Sequence, residues 1–190
     1  LNSFMFIIKS NYYLYIENTK SINLDRIKKN KKITFIYRNN AKQENYSEIT
    51  KFRTKCKIKN FKFYIANDLK LVNLCGADGL YVSSYNNNKI LKHTDHLIGS
   101  AHNFKEIYEK IKQGCKTIML SRLFKTSYKN KNGYLGVIRF NLIRKNYSIN
   151  LIPLGGINSG NLLKLNLVNS KGFSLLSEIK KKPAISNRLF

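Results

Sequence analysis

The chain has 190 residues, enough for one domain with a full core and too few for two of ordinary size, so residues 1–190 are read as a single domain. A hydrophobic content of 43%, with 12 Tyr and 11 Phe, excludes a disordered tail, and no apolar run approaches the about 20 residues that a membrane-spanning helix needs. The formal net charge of +25 comes from 35 Lys and Arg scattered along the chain beside abundant Asn, Ile and Tyr, a pattern that A+T-rich coding produces without selection; with no zinc knuckle, aromatic RNA-binding motif or helix-turn-helix, a nucleic-acid partner is not expected.

In chain order, segments rich in apolar, β-branched and aromatic residues alternate with segments of helical period. Strands are predicted over Tyr13–Glu17, Ile33–Arg38, Phe61–Ala66, Gly79–Ser83, Leu97–Ser100, Thr117–Ser121, Asn150–Leu154 and Gly172–Leu176. Between them Tyr46, Ile49, Phe52 and Cys56 share a helical face, as do Phe104, Ile107, Tyr108 and Ile111, and then Leu135, Ile138 and Leu142. Asn103 with Glu106 three residues on has the form of a capping box. The first helix, around Leu24–Lys29, is short, and the last, after Ile179, meets Pro183 almost at once. Strand–helix alternation of this kind predicts an α/β fold, a compact (β/α)8 TIM barrel with shortened first and last helices, with an open doubly wound sheet as the alternative.

The remaining signals are local. Phe4–Ile8 lacks a basic leader and a small-residue cleavage site, so no signal peptide is expected. Cys56, Cys75 and Cys115 have no paired spacing, which suits a reducing, cytoplasmic setting, and His93 with His96 lacks a third ligand for a metal. The stretch Leu151–Gly160 runs from apolar residues into Gly155 and Gly156 and then Asn158 and Ser159. It reads as a buried strand feeding a helix N-terminus, where free N–H groups would meet a phosphate. Asp78, in Gly76-Ala-Asp-Gly79, is read as turn chemistry before the fourth strand.

Taken in order, the residues just beyond the strand ends include Arg38-Asn39-Asn40, Asn67-Asp68, Ser83-Ser84, Ser100-Ala101-His102, Thr126 to Lys129, Gly155-Gly156 and Ser177. With Ala66-Asn-Asp68, Gly76-Ala-Asp-Gly79 and Gly99-Ser-Ala-His102, this succession resembles the thiamine phosphate synthase and thiazole tautomerase superfamily from about Tyr12 to Pro183. The resemblance implies a transferase that joins hydroxymethylpyrimidine diphosphate to thiazole phosphate with Mg2+, releasing pyrophosphate. It further implies that Arg38 and Asn67 bind the diphosphate and that Ser100 lies along it. Asp68 would ligate the metal with Asn86 at the second metal position, and Lys129 would neutralise pyrophosphate. Thr126, Gly155, Gly156 and Ser177 would hold the thiazole phosphate, and His102 would be a further catalytic candidate.

Three positions depart from the family pattern. Ile36 stands where the family has Gln, Asn40 where it has Lys, and Asn86 where it has Asp, which implies reduced activity; Lys42 is a candidate replacement for the missing lysine. A thiazole tautomerase using His102 without metal, and a non-catalytic phosphate-ligand binder, are the alternatives. Read without the resemblance, Asn67-Asp68 is equally a helix N-cap and His102 a polar residue at a strand end. The partners implied are small phosphorylated substrates and no membrane; homo-oligomerisation is left open.

Overall fold

The computed structural model describes residues 9–39, 44–88, 96–126 and 133–175. Eight strands are formed: β1 (Asn11–Ile16), β2 (Ile33–Tyr37), β3 (Lys62–Ala66), β4 (Gly79–Val82), β5 (Leu97–Ala101), β6 (Thr117–Ser121), β7 (Asn150–Leu154) and β8 (Gly172–Leu175). Each pairs in parallel with the next and β8 returns to β1, so the sheet closes into a barrel in sequence order. The expected TIM barrel is therefore the fold, and the open sheet is excluded.

Two apolar layers hold it together. Inside the barrel, Tyr13, Tyr15, Ile36, Tyr64, Tyr81, Ile98, Met119, Ile152 and Leu154 fill the lumen, alternating along each strand with residues that face outward. The outward layer, including Leu14, Phe35, Phe63, Leu80, Leu120, Leu151 and Phe173, packs under α1 (Tyr46–Ile58), α2 (Leu69–Cys75), α3 (Phe104–Lys112) and α4 (Gly136–Lys145). No helix among the described residues is long and apolar enough to cross a membrane.

Capping chemistry starts three helices. Asn45, Asp68 and Asn103 each accept an N–H from the first turn of α1, α2 and α3. Half of the predicted box at α3 is formed as expected, Asn103 taking the N–H of Glu106, while the Glu106 carboxylate reaches one residue further back, to the N–H of His102 at 2.7 Å. Gly76 ends α2 in the left-handed conformation at φ +58°.

Several local expectations change. The first helix is reduced to two 3-10 turns, Thr19–Ser21 and Leu24–Arg26, because only Leu24 and Ile27 turn inward and Lys59 Nζ takes the carbonyls of Asp25 and Ile27. After β7 no α-helix follows. Asn158 and Ser159 lie in a turn, where the Asn158 side chain takes the N–H of Gly160, and a 3-10 turn, Leu162–Leu167, takes the helix's place. The face predicted for α4 is the wet one, with Ile138 79% and Leu142 57% exposed, while Phe140 and Ile143 are buried. On α3, Ile107 is buried as predicted, but Phe104 and Tyr108 are exposed and Lys110 is fully buried. Gly99 in β5 makes room for that lysine, since a Cβ there would lie 3.0 Å from Lys110 Cγ.

Candidate active site

Because all strands run parallel, their C-terminal ends open on one mouth, and every described residue to which the resemblance assigns a role, Arg38, Asn67, Asp68, Asn86, Ser100, His102, Thr126, Gly155 and Gly156, follows or ends its strand at that end, whereas Asp78 and His96 precede theirs. Lys129, Ser177, Asn40, Lys42 and His93 lie outside the described residues.

The mouth is underlain by buried hydroxyls: Ser83, Ser100, Ser121 and Ser174 at the upper ends of the strands. Beneath them the phenol of Tyr15 donates to that of Tyr81 at 2.8 Å, and the chain continues to Ser174 on one side and Ser100 on the other. Burial pushes both phenols above their ordinary range, and the positive charge of Arg38 nearby pulls both part of the way back down. Arg38 is anchored by its own N–H, which donates to Ile16 at 2.8 Å. Its Nε is buried and has no hydrogen-bond partner among the described residues. A buried donor on a cation with nothing to receive it is costly unless an anionic ligand arrives. Ile36, one of the departures, is part of the barrel filling and too far down its strand to face the mouth.

On the β3–β4 side, Asn67 takes a left-handed conformation at φ +58°, which Asn tolerates, and its amide is fully engaged. Its Oδ1 accepts from Ser83 N at 2.9 Å and Asn86 Nδ2 at 3.1 Å; its Nδ2 donates to Ser83 Oγ at 2.8 Å and Tyr85 Oη at 3.1 Å. Asn67 is thus the joint that ties the end of β3 to the loop after β4. Asp68 caps α2 through Oδ1, 2.9 Å from Leu71 N, so both the cap reading and an exposed carboxylate hold at once. The β4 loop is pinned from behind: Lys110 Nζ donates to the carbonyl of Asn86 at 2.6 Å and Gln113 Nε2 to those of Asn86 and Asn88 at 2.9 and 3.0 Å.

On the β5–β6 side, His102 Nδ1 lies 2.6 Å from Ser121 Oγ, which orients an otherwise exposed imidazole with Nε2 outward. Arg122 Nη1 donates to Thr126 Oγ1 at 3.3 Å. The loops after β6 and β7 are zipped together, Leu123 N to Leu154 O at 3.0 Å and Phe124 N to Gly155 O at 3.1 Å. Gly155 and Gly156 have φ of +92° and +71°, and a Cβ on Gly156 would fall 2.2 Å from the carbonyl oxygen of Phe124. The glycine at 156 is therefore required by the packed loop itself, a tighter reason than room for a ligand. No acceptor among the described residues takes the N–H groups of Gly156 and Ile157.

For a metal, the mouth offers little. Among the described residues no three His, Cys, Asp or Glu side chains converge. Asp68 has one oxygen left over from its cap, and the Oδ1 of Asn86 already accepts from Asn88 N at 3.0 Å. One carboxylate oxygen and an amide oxygen suit a weak anchor for a hard cation that arrives on a diphosphate, and do not make a closed cage.

The residues that sequence reasoning missed are Tyr15, Tyr81, Tyr85, Ser121 and Lys110. The first two read as ordinary strand aromatics. Ser121 could have been found as the last residue of its strand.

A family model described as "Thiamine monophosphate synthase" matches residues 5–179. Proteins named thiamine-phosphate synthase from two strains of Prochlorococcus marinus are 26% identical over 75% of the chain and 28% identical over 65% of it. The chain spans only 42% and 37% of their lengths. A solved thiamine phosphate pyrophosphorylase from Pyrococcus furiosus superposes with a TM-score of 0.74 over 95% of this chain and 92% of that one, at 15% identity, a likeness of fold.

Proposed function

From the chain's membership of the thiamine monophosphate synthase family, we propose that it is a transferase joining hydroxymethylpyrimidine diphosphate to thiazole phosphate to yield thiamine phosphate and pyrophosphate. The observation that carries this reading is the buried Nε of Arg38, without a partner among the described residues, at a strand end beside a floor of hydroxyls. In the reaction the bond between the pyrimidine's methylene carbon and a diphosphate oxygen breaks with both electrons leaving on the diphosphate. The thiazole nitrogen supplies the pair for the new carbon–nitrogen bond, so charge builds on the leaving group as the methylene becomes carbocation-like.

Arg38 receives the diphosphate, and Ser100 lies at the edge of the hydroxyl floor below it. Asn67 acts by holding Ser83, Tyr85 and Asn86 in place. Asp68, with the amide oxygen of Asn86, would hold Mg2+, which supplies neutralisation of the departing diphosphate. The N–H groups of Gly156 and Ile157 face the phosphate of the thiazole, with Thr126 from the neighbouring loop, while Lys129 and Ser177 complete the two anion sites. The setting proposed is cytoplasmic.

A second reading has its own observation. His102 is held by Ser121 at 2.6 Å, and residue 86, where the family pattern has a second metal-binding Asp, is Asn; both suit a metal-free thiazole tautomerase that moves a proton on the thiazole ring. The deciding experiment is thiamine phosphate formation from the two purified substrates across a Mg2+ titration. Product that depends on Mg2+ and disappears in Arg38→Met supports the transferase. No product at any Mg2+ level, with thiazole proton exchange that His102→Ala abolishes, replaces it by the tautomerase.

A further inference from the structure

At the opposite end of the barrel the described residues enclose a polar recess. A cavity of about 530 Å3 enters the N-terminal mouth, within the range of small-molecule pockets. The inward residue at the start of most strands is polar or glycine: Asn11, Thr34, Lys62, Gly79, Thr117, Asn150 and Gly172. Gly79 has a steric role. A Cβ there would lie 2.6 Å from Cε1 of Tyr64, so the missing side chain lets the Tyr64 ring lie across the start of β4.

The floor of the cavity carries two phenols. Tyr13 is hydrogen-bonded to Thr117 across the lumen. Tyr64 is only 5% exposed, lines the cavity and has no hydrogen bond to another described residue. Burial raises its pKa to about 12, so at neutral pH it is a protonated donor. Around the rim stand Lys62, Lys116 and His96, and no Asp or Glu is among the described residues that line the space. Asp78, whose charge reaches Tyr64, is already paired to Arg53 at 3.3 Å and accepts the N–H of Phe63 at 2.8 Å.

A recess walled largely by amide, hydroxyl and phenol groups, with two ammonium groups at its lip and no carboxylate among its described lining residues, is complementary to an anion bearing many oxygens. Its volume exceeds that of a bare phosphate, and the amides and hydroxyls of its wall suit a hydroxylated body better than an aromatic one. We propose that the N-terminal mouth is a second ligand site, for a small phosphorylated polyol such as a sugar phosphate, with Lys62 and Lys116 on the phosphate and Tyr64 on the hydroxylated body. This site shares no residue with the C-terminal mouth and does not rest on the reaction proposed there.

The test uses the full chain carrying Arg38→Met, so that the other mouth competes less, titrated calorimetrically with glucose 6-phosphate and with glucose. Binding is expected for the phosphate ester and not for glucose. Lys62→Gln with Lys116→Gln should weaken it at least tenfold, and Tyr64→Phe, which keeps the ring and the fold, three- to tenfold. Lys105→Gln with Lys145→Gln removes the same charge from exposed positions of α3 and α4 and should leave binding within twofold. Equal losses in the two double variants would mean general attraction to a basic protein and overturn the proposal. So would an unaltered affinity in Tyr64→Phe, or no phosphate-dependent binding at all.

Discussion

The side-chain amide of Asn86 donates to Oδ1 of Asn67 at 3.1 Å, joining the ends of β3 and β4 at the spot where the family pattern calls for a carboxylate. Asn86→Asp would set a carboxylate against that oxygen and remove the bond, costing about 1 kcal/mol. It would also add a hard, charged ligand beside the Asp68 loop. The expected outcome is a variant less stable than the parent in chelator and selectively restabilised by Mg2+, because a ligand that binds only the folded chain raises its stability. Thermal unfolding with and without Mg2+ measures this; an equal Mg2+ response in parent and variant would place residue 86 out of reach of the metal.

Arg38→Met separates binding from folding. The buried Nε has no partner among the described residues, so removing it relieves a desolvation cost of about 1–3 kcal/mol, while the ligand loses a charged donor of similar worth. The variant should unfold no earlier than the parent in urea, yet bind pyrophosphate at least tenfold more weakly by calorimetry. A large fall in stability would mean that the guanidinium serves the fold.

Two glycines in left-handed conformations should differ sharply. At Gly76, φ is +58° and a Cβ would meet open space, so Gly76→Ala pays only the backbone cost of about 1 kcal/mol. At Gly156 the same backbone cost is joined by a clash at 2.2 Å with the Phe124 carbonyl, so Gly156→Ala should lose about 2–4 kcal/mol. Denaturant midpoints of the two variants give the comparison, and equal losses would contradict the packed-loop account.

Lys110 is buried without a carboxylate and spends its ammonium on Asn86 O and on Gln113 Oε1, at 2.6 and 2.9 Å. Lys110→Met keeps the length but takes the donor from Gln113 Oε1 and leaves the Asn86 carbonyl with Gln113 Nε2 alone, so a loss of about 1–3 kcal/mol is expected. Hydrogen exchange should quicken in residues 83–88 and leave α4 unchanged; uniform exchange throughout would show that the lysine does not brace that loop.

Alkali should unfold the chain. Burial raises the thiols of Cys56 and Cys115 from 9.0 to about 12, and the phenols of Tyr13, Tyr37 and Tyr64 from 10.0 to about 12. Each folded pKa lies above its unfolded one, so the unfolded chain releases its protons first. The stability these groups contribute is complete below pH 9 and is lost as pH rises toward 12. Urea midpoints should be flat from pH 7 to 8.5 and fall steeply beyond 10. Cys56 and Cys115 should also resist thiol reagents at pH 8 until denaturant is added, because burial withholds their thiolates.

What the sequence determined by itself was whatever depends on near neighbours. Apolar runs of strand length between helical periods specify eight β-strands, and parallel strands separated by crossovers close in sequence order, so the barrel and the common end of Arg38, Asp68, His102 and Gly156 were legible. Capping is equally local, and Asn103 takes the N–H of Glu106 as its spacing predicts. Tertiary structure alone decided how those residues are employed. Tyr15 and Tyr81 are 66 positions apart and meet only because closure turns both into the lumen. α3 buries Lys110 instead of Phe104 because a glycine lies opposite, a fact absent from the helix's own period. Gly156 looked like room for a phosphate and is held by the backbone of Phe124, 32 positions earlier. Periodicity tells a side chain which way to face; which atoms it then meets, and which are left without a partner among the described residues, as Arg38 Nε is, is settled by the strands that closure brings beside it.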